Sequence, residues 1–329
     1  MDITPHLSLM IGGTVSGFDV LKLPQQIPTF VSKAQKEGES IFILGGGTNT
    51  IFSAGHHQIR IGKMTINKLA VDGQFIRAGA GVMWDKIVET AVAHNLSGIE
   101  ALSAIPGTAG AGPIQNIGAY GQEISHCLDT VIAYDTLVKE FIPIKNHDCG
   151  FGYRSSIFKE NPRQFVISEI ILKLKKNYNF TDIIDYPGVR EYMSEHDLAF
   201  NLQNIRAAII EIRSLKLPNP ATLANAGSFF KNPYIDINHA KKLKKEFPDL
   251  PQFPTGENLI KIPAGWLIEK AGLKGIRVGD LGTYDKNALV LVNYNQASFN
   301  DLEEFIKYIQ SKIQIMFGVE LIPEVNIIR

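Results

Sequence analysis

The sequence predicts an α+β protein built as two domains or as one elaborated domain. Runs of β-branched and aromatic residues that end at Gly or polar turn residues alternate with segments whose apolar residues recur at helical spacing. The chain has 329 residues, of which 45% are hydrophobic and 20% charged, so it is long enough to bury a real core. It contains no repeat of fixed period and no low-complexity tract.

Charge and cysteine content exclude several classes of function. Lys and Arg total 33, as do Asp and Glu, so no net field favours a nucleic acid or an anionic membrane. Cys127 and Cys149 lack the CxxC spacing and are too few for a disulfide framework. The start shows no signal peptide, and the longest apolar run, around residues 288–292, is too short to cross a bilayer. We expect a cytoplasmic protein without membrane insertion or a nucleic-acid partner.

The first half of the chain predicts strands around two glycine-rich segments. A buried strand at residues 40–44 runs into the glycine turn 45–49, and a helix is predicted over residues 83–94. The segment 103–121 is rich in glycine but also carries Ile and Ala, which favours an ordered loop or a ligand cradle over a linker. Further strands are predicted at residues 58–62, 68–71, 75–78, 128–134, 140–144 and 165–172.

The second half begins after an amphipathic helix predicted over residues 202–217. Pro218 and Pro220 stop this helix and mark the best candidate domain boundary. A last module from about residue 220 to 317 contains a buried strand at 288–292 and an amphipathic helix at 302–313. The tail 321–329 is predicted to be a final strand.

Familiar catalytic motifs are missing from the sequence. The Gly79 cluster lacks the third glycine of a dinucleotide fingerprint, and the Gly45 turn lacks the lysine of a P-loop. The eight histidines show no HExxH spacing, so no metal site is expected. No GxSxG elbow occurs, and Ser228 has no neighbouring histidine as its base, so a hydrolase nucleophile is not supported.

Residues 105–123, which read IPGTAGAGPIQNIGAYGQE, closely resemble the FAD-binding loop of the MurB family, the UDP-N-acetylenolpyruvoylglucosamine reductases. The resemblance extends over nearly the whole chain in collinear blocks. These are GGGTN (45–49), FGYRSSIFK (151–159), YPG (186–188), KLP (216–218), GSFFKNP (227–233), AGWLIEKAGLKG (264–275) and PEV (323–325). The YPG and GSFFKNP blocks are similar to the type I branch of the family.

The resemblance implies a two-lobed FAD-binding domain of the vanillyl-alcohol oxidase (PCMH) type, followed by a C-terminal α+β substrate-binding domain. The first lobe is expected at residues 1–67 with the returning tail 318–329. The second lobe is expected at residues 68–215, and the substrate domain at residues 216–317. We expect a monomer.

The resemblance also implies a reaction, in which UDP-N-acetylglucosamine enolpyruvate is reduced to UDP-N-acetylmuramate for peptidoglycan precursors. Hydride passes from NADPH through FAD to the vinyl carbon, and the second carbon takes a proton. By resemblance Ser228 is the proton donor, while Arg154 and Glu324 stabilise the intermediate at the substrate carboxylate. An arginine suits that role because its guanidinium binds a carboxylate through two donors. Lys216 and Lys231 are close enough in sequence to Ser228 to assist the proton transfer.

The remaining site residues follow from the same blocks. Glycine backbone can approach a diphosphate closely because it has no Cβ. The cofactor-binding candidates are Gly45, Gly46, Gly47, Thr48, Asn49, Pro106, Gly107, Thr108, Gly110, Asn116, Gly118, Ala119, Tyr120 and Gln122. The substrate-binding candidates are Tyr186, Lys216, Asn232 and Asn287. Thr48 stands where the family usually has serine, and Gly112 where alanine or threonine is commoner.

Simpler interpretations exist for each catalytic candidate taken alone. Arg154 beside Tyr153 is usually a surface ion pair or a stacked cation, Ser228 a turn residue, and Glu324 a solvated charge. Two functional alternatives also remain open. One is an FAD-dependent oxidase of the same fold acting on another substrate, and the other is a flavoprotein that binds FAD without turnover.

Overall fold

The computed structural model describes residues 1–176 and 188–329. Its α-helices are α1 (Gln26–Lys36), α2 (Trp84–Ala93), α3 (Ile157–Glu160), α4 (Val189–Glu195), α5 (Leu202–Lys216), α6 (Ile237–Glu246), α7 (Ala264–Lys270) and α8 (Phe299–Phe317). The strands of the first half are β1 (Thr14–Leu21), β2 (Ser40–Leu44), β3 (Thr50–Phe52), β4 (His56–Met64), β5 (Leu69–Asp72), β6 (Phe75–Gly79), β7 (Gly118–Ala119), β8 (Gln122–Glu123), β9 (Leu128–Asp135), β10 (Glu140–Lys145) and β11 (Phe165–Lys173). Those of the second half are β12 (Ala224–Ser228), β13 (Tyr234–Asp236), β14 (Phe253–Thr255), β15 (Leu259–Lys261), β16 (Arg277–Val278), β17 (Leu281–Tyr284), β18 (Asn287–Asn293) and β19 (Asn326–Ile328).

Contacts divide the chain into two compact units that do not follow a single cut in the sequence. The first unit comprises Met1, Val15–Gly46 and His57–Arg213, and the second comprises Asp2–Thr14, Gly47–His56 and Ser214–Arg329. The predicted division into lobes 1–67 and 68–215 and a substrate domain 216–317 remains a prediction about functional domains. The glycine turn 45–49 contributes residues to both units.

In its described residues the first unit contains two larger sheets and the two-stranded β7-β8 hairpin. One has three strands in the order β1-β4-β2, and β2 runs parallel to β4. The other has five strands in the order β10-β9-β11-β6-β5, with antiparallel neighbours throughout. Their apolar residues bury a shared core that also takes the inner faces of α1 and α2. Burial on both faces explains why the centre of β9, residues 131–134, is continuously apolar.

Helix α2 follows the sequence pattern closely. Ile87, Val88 and Ala91 are fully buried, as their helical spacing predicts. Trp84 at its start is also buried, and its indole N–H donates to the carbonyl oxygen of Leu102 at 3.0 Å. The helix thereby fixes the start of the glycine-rich segment to the core.

The second unit is built on a four-stranded antiparallel sheet in the order β12-β18-β17-β16. A three-stranded antiparallel sheet has the order β13-β15-β14, and β19 pairs in parallel with β3. Helix α8 begins at a capping box formed by Ser298 and Asp301 and ends at Gly318 in the left-handed conformation. Its apolar face joins the core of this unit.

The pattern predicted the longer elements within a few residues of their observed ends but missed others. The helices expected over 83–94 and 202–217 are α2 and α5, and the strand expected over 288–292 is β18. The final strand is shorter than predicted, because only Asn326–Ile328 pairs with β3. Within the described ranges 1–176 and 188–329, no helix is long and apolar enough to cross a membrane.

Candidate functional site

The glycine turn that follows β2 passes so close to neighbouring residues that a side chain on its glycines would clash with them. A Cβ on Gly45 would lie 2.5 Å from the hydroxyl oxygen of Thr108. Gly47 has φ +70°, and a Cβ there would lie 2.0 Å from the carbonyl oxygen of His6. The backbone N–H groups of Gly46, Gly47 and Thr48 donate to no acceptor in the described part of the chain. Free N–H groups on a glycine turn suit the diphosphate of a dinucleotide cofactor.

The glycine-rich segment of the first unit threads closely past the end of β6. The amide of Gly110 donates to the carbonyl oxygen of Ala80 at 2.9 Å, and a Cβ on Gly110 would lie 2.7 Å from that of Ala80. The amide of Trp84 donates to the carbonyl oxygen of Gly107 at 3.0 Å. Pro106 beside it is exposed. The segment is an ordered cradle, as its mixture of glycine and buried apolar residues predicts.

A two-residue hairpin closes this segment. Strands β7 and β8 pair Gly118 with Glu123 and Ala119 with Gln122. The linking residues, Tyr120 and Gly121, both have positive φ, at 48° and 79°. Positive φ at both central positions is the geometry of a type I′ turn, which matches the twist of paired strands. The hairpin therefore holds the predicted cofactor residues 118–122 in one rigid element.

Asn116 is buried and directs its side chain to the protein. Its amide group donates to the Glu123 carboxylate at 2.6 Å and to the carbonyl oxygen of Gly152 at 3.3 Å. Its oxygen accepts from the amide of Ser125 at 3.2 Å. Asn116 adopts φ +46°, which these bonds stabilise. The structure thus gives this predicted cofactor residue a role in shaping the loop.

Gln122 is used in the same way. Its oxygen accepts from the amide of Ala101 at 2.9 Å, and its nitrogen donates to the carboxylate of Glu100 at 3.1 Å. Glu100 is buried, and burial raises the pKa of its carboxyl group. Sequence reasoning missed Glu100, which lies outside the motif blocks, and gave no role to Glu123 at the end of the 105–123 block.

A small pocket of the first unit joins the two glycine segments. It has a free volume of about 50 Å³ and is lined by Gly45, Thr108 and Gly110 together with apolar residues that include Ile43 and Met64. Thr108 is buried and offers its hydroxyl at Gly45. These residues fit a flavin dinucleotide, which needs close backbone approach at its diphosphate and an apolar surface for its rings.

Arg154 also belongs to the first unit and is half-buried in the turn before α3. It adopts φ +53°, which is uncommon for a residue other than glycine. Its guanidinium donates to the carbonyl oxygen of Gly118 at 3.3 Å and lies 5.6 Å from the centre of the Tyr153 ring. Lys159 donates to the backbone oxygen of Arg154 at 3.0 Å. The strained turn and its bonds hold the guanidinium against the β7–β8 hairpin.

Ser228 lies in the second unit at the end of β12, where a bulge changes the register. Asn225 pairs with Val292 and Ser228 with Val290, so one extra residue is inserted between them. Gly227 in the bulge has φ +63°, and its amide donates to the Asn225 side chain at 3.0 Å. The Ser228 side chain is exposed, and its hydroxyl bonds to no residue that the structure describes.

The same unit brings Glu324 beside the Ser228 segment. The amide of Glu324 donates to the carbonyl oxygen of Phe229 at 2.7 Å, and Phe230 forms a bridge with Pro323. Phe229 and Phe230 are fully buried, which anchors the backbone that presents both residues. The structure therefore joins the GSFFKNP and PEV blocks through backbone hydrogen bonds.

The substrate-binding candidates occupy separate places. Lys216 is exposed at the end of α5. The Asn232 side chain accepts from the amide of Ala264 at 2.9 Å at the start of α7, and the Asn287 side chain accepts from the amide of Leu289 at 3.1 Å. Tyr186 lies outside the described residues.

Comparison with known proteins identifies two family models along the chain. Residues 18–139 match the FAD binding domain, and residues 219–328 match the C-terminal domain of UDP-N-acetylenolpyruvoylglucosamine reductase. The reductase of Dechloromonas aromatica is 37% identical over 98% of this chain and 97% of its own length. The reductase of Porphyromonas gingivalis is 39% identical over 87% of this chain and 85% of its own length.

A solved structure shows the same fold. The MurB crystal structure from Thermus caldophilus aligns with a TM-score of 0.70 at 21% identity, covering 100% of this chain and 98% of that one. The predicted α+β fold, with a PCMH-type FAD-binding domain and a C-terminal substrate-binding domain, is therefore confirmed. The predicted cofactor, FAD, is confirmed with it. The chain belongs to the UDP-N-acetylenolpyruvoylglucosamine reductases, a family of flavin oxidoreductases.

Proposed function

We propose that this protein uses NADPH to reduce UDP-N-acetylglucosamine enolpyruvate to UDP-N-acetylmuramate. The observation that carries the proposal is the match to this reductase family over nearly the whole chain. Reduction of this precursor serves peptidoglycan synthesis. When bound, FAD supplies the hydride chemistry that links the nicotinamide to the substrate.

Binding of FAD rests on backbone in this proposal. The N–H groups of Gly46, Gly47 and Thr48 hold the diphosphate, since they donate to no other described residue. Thr108 and Gly110 contact the flavin along the pocket that they line. Asn116 and Gln122 support FAD binding indirectly, because their side chains hydrogen-bond to Glu123 and Glu100 and so fix the loop.

Arg154 and Glu324 stabilise the charge that builds on the substrate carboxylate when hydride adds to the vinyl group. A guanidinium held by the Gly118 carbonyl is oriented before the reaction, so little reorganisation is needed as the charge develops. Glu324, held protonated, donates the remaining hydrogen bond. Its backbone bond to Phe229 fixes its position in the second unit.

Ser228 donates the proton to the second carbon. Its hydroxyl is exposed, unlike those of the buried Ser103 and Ser156, which donate to backbone carbonyls. A hydroxyl with no acceptor among the described residues is available to the substrate. Because its intrinsic pKa is high, the transfer needs a cation or a water relay, and Lys216 and Lys231 are the candidates from its own unit. Lys216, Asn232 and Tyr186 bind the nucleotide part of the substrate, and Asn287 is the candidate for a further contact with the substrate carboxylate.

The experiment that tests the function is product analysis under anaerobic conditions. Purified protein loaded with FAD is given NADPH and UDP-N-acetylglucosamine enolpyruvate, and the nucleotide is examined by mass spectrometry. We expect a product heavier by two hydrogens, formed in step with NADPH oxidation. An unchanged nucleotide, with oxygen consumed on an alcohol substrate in air, would instead favour the oxidase alternative.

A further inference from the structure

Lys63 is a half-buried cation at the beginning of the glycine turn. It lies in β4 opposite Leu44, the last residue of β2, and its ammonium donates to the carbonyl oxygen of Gly45. Met64, the next residue, lines the pocket together with Gly45. All these residues belong to the first unit.

The charge of Lys63 is not neutralised by any residue that the structure describes. No carboxylate in the described ranges forms an ion pair with its ammonium, and its one hydrogen-bond acceptor is a neutral carbonyl. Burial lowers the pKa of this lysine. A carbonyl satisfies one of the three ammonium N–H groups and leaves two available.

Arg60, three residues earlier on the same strand, is a buried cation of this unit that has carboxylate partners. Its guanidinium contacts the carboxylates of Asp19, Glu37 and Glu39. These three carboxylates more than balance one positive charge. Burial alone would lower the pKa of Arg60, but Asp19 and Glu39 hold it above its usual value. Lys63 has no carboxylate partner among the described residues, although burying an unpaired charge even in part is costly. The contrast indicates that the counter-charge of Lys63 comes from a ligand.

The flavin cofactor of this family carries an anion of the required kind, and the inference rests on that cofactor. We propose that Lys63 supplies the positive charge that binds the diphosphate of FAD at the glycine turn. Its bond to the Gly45 carbonyl holds the ammonium at the turn, where the backbone N–H of Gly46 is also available to an anion. The lysine supplies a positive charge to the diphosphate, and the backbone N–H supplies a hydrogen bond of fixed direction, so the two contacts complement each other.

The test is FAD binding to the apoprotein, measured by flavin fluorescence at several salt concentrations. The Lys63→Gln variant removes the charge but keeps an N–H donor for the Gly45 carbonyl, and Lys63→Arg keeps the charge. We expect K63Q to raise the Kd for FAD about tenfold or more at low salt and to flatten its salt dependence. K63R should stay within about threefold of the parent protein, because it retains the charge.

Two controls separate a charge effect from a structural one. Lys68→Gln removes an exposed lysine of the same unit and should leave the Kd for FAD unchanged. Riboflavin, which has no phosphate, should bind K63Q and the parent protein equally. The proposal is overturned if K63Q binds FAD as tightly as the parent, or if FAD and riboflavin lose affinity to the same extent.

FAD binding is measured without turnover, so a negative result in this test can be distinguished from a negative result in the test of the proposed function. A protein whose FAD affinity depends on Lys63 but which forms no UDP-N-acetylmuramate would refute only the proposed function. If K63Q does not fold, as judged by circular dichroism of the apoprotein, Lys63→Met provides the same comparison with a different side chain.

Discussion

Ser228 and Asn116 are polar residues in glycine-containing segments, but their side chains have different environments and different roles. Both are cofactor or catalytic candidates by motif. Asn116 is buried and bonded to Glu123, whereas the Ser228 side chain is exposed at a bulge. A buried amide without partners would be costly, so the loop itself uses the hydrogen bonds of Asn116.

The first prediction concerns the Ser228 hydroxyl. Ser228→Ala removes the proposed proton donor, and we expect kcat to fall by about 100-fold or more, the usual worth of a general acid. Anaerobic reduction of the flavin by NADPH should keep its rate, because that step needs no proton from Ser228. Stopped-flow absorbance measures both half-reactions separately.

A matched control for this variant is Ser194→Ala, which removes an exposed hydroxyl from α4. It should leave both half-reactions unchanged. The proton-donor role is wrong if S228A reoxidises with substrate as fast as the parent protein. It is also wrong if S228A loses flavin, because the defect would then be structural.

At the scale of elements, one carboxylate in α2 links this helix to α5 and to the first residues of the glycine-rich segment. Asp85 in the first turn of α2 accepts from both terminal nitrogens of Arg206 in α5, at 2.6 and 2.8 Å. It also accepts from the amide of Ala104 at 2.6 Å, a residue with φ +56°. The hydrogen bonds from Arg206 are the main reason that the pKa of Asp85 lies below its usual value.

The second prediction is a pH-dependent stability term from this carboxylate. Because its pKa is lower in the folded state than the unfolded value of 3.8, the stabilisation is complete above that value. It is lost as the pH falls through the lower, folded pKa. Asp85→Asn should lower Tm by about 2 °C at pH 7, a modest effect because the pair is partly exposed. The difference should shrink as the pH falls below 3.8 and the parent carboxylate becomes protonated.

Calorimetry across this pH range measures the effect. Glu89→Gln breaks the exposed Lys86–Glu89 pair on the same helix and provides the control, for which we expect little change in Tm. A Tm difference between D85N and the parent that is the same at every pH would contradict the assignment to ionised Asp85.

At the scale of the whole molecule, the sequence predicted most of the long elements and the family. It did not predict some shorter elements or the exact pairing of distant strands. Helices α2 and α5 were predictable because burial of one face leaves a periodic apolar pattern. Strand β18 was predictable because its burial leaves a continuous apolar run. Strand β1 and helix α1 were missed, since β1 contains Gly17 and Asp19 and α1 carries Pro28 in its first turn. The pairing of β19 with β3 joins residues far apart in sequence, and its exact extent needs coordinates.

The candidate site was predictable only in part. Motif resemblance supplied Arg154, Ser228 and Glu324 and the glycine turn, because these occur in contiguous blocks. Lys63 and Glu100 lie outside those blocks, and their importance depends on which partners surround them in the fold. A lysine in a strand looks the same in sequence whether or not carboxylates meet it, as the contrast with Arg60 shows.

The central claim is tested most directly by reducing the FAD-loaded protein anaerobically with NADPH and then adding UDP-N-acetylglucosamine enolpyruvate. We predict that one equivalent of this compound restores the oxidised flavin spectrum promptly, with UDP-N-acetylmuramate as product. A flavin that stays reduced until air is admitted would contradict the proposed function.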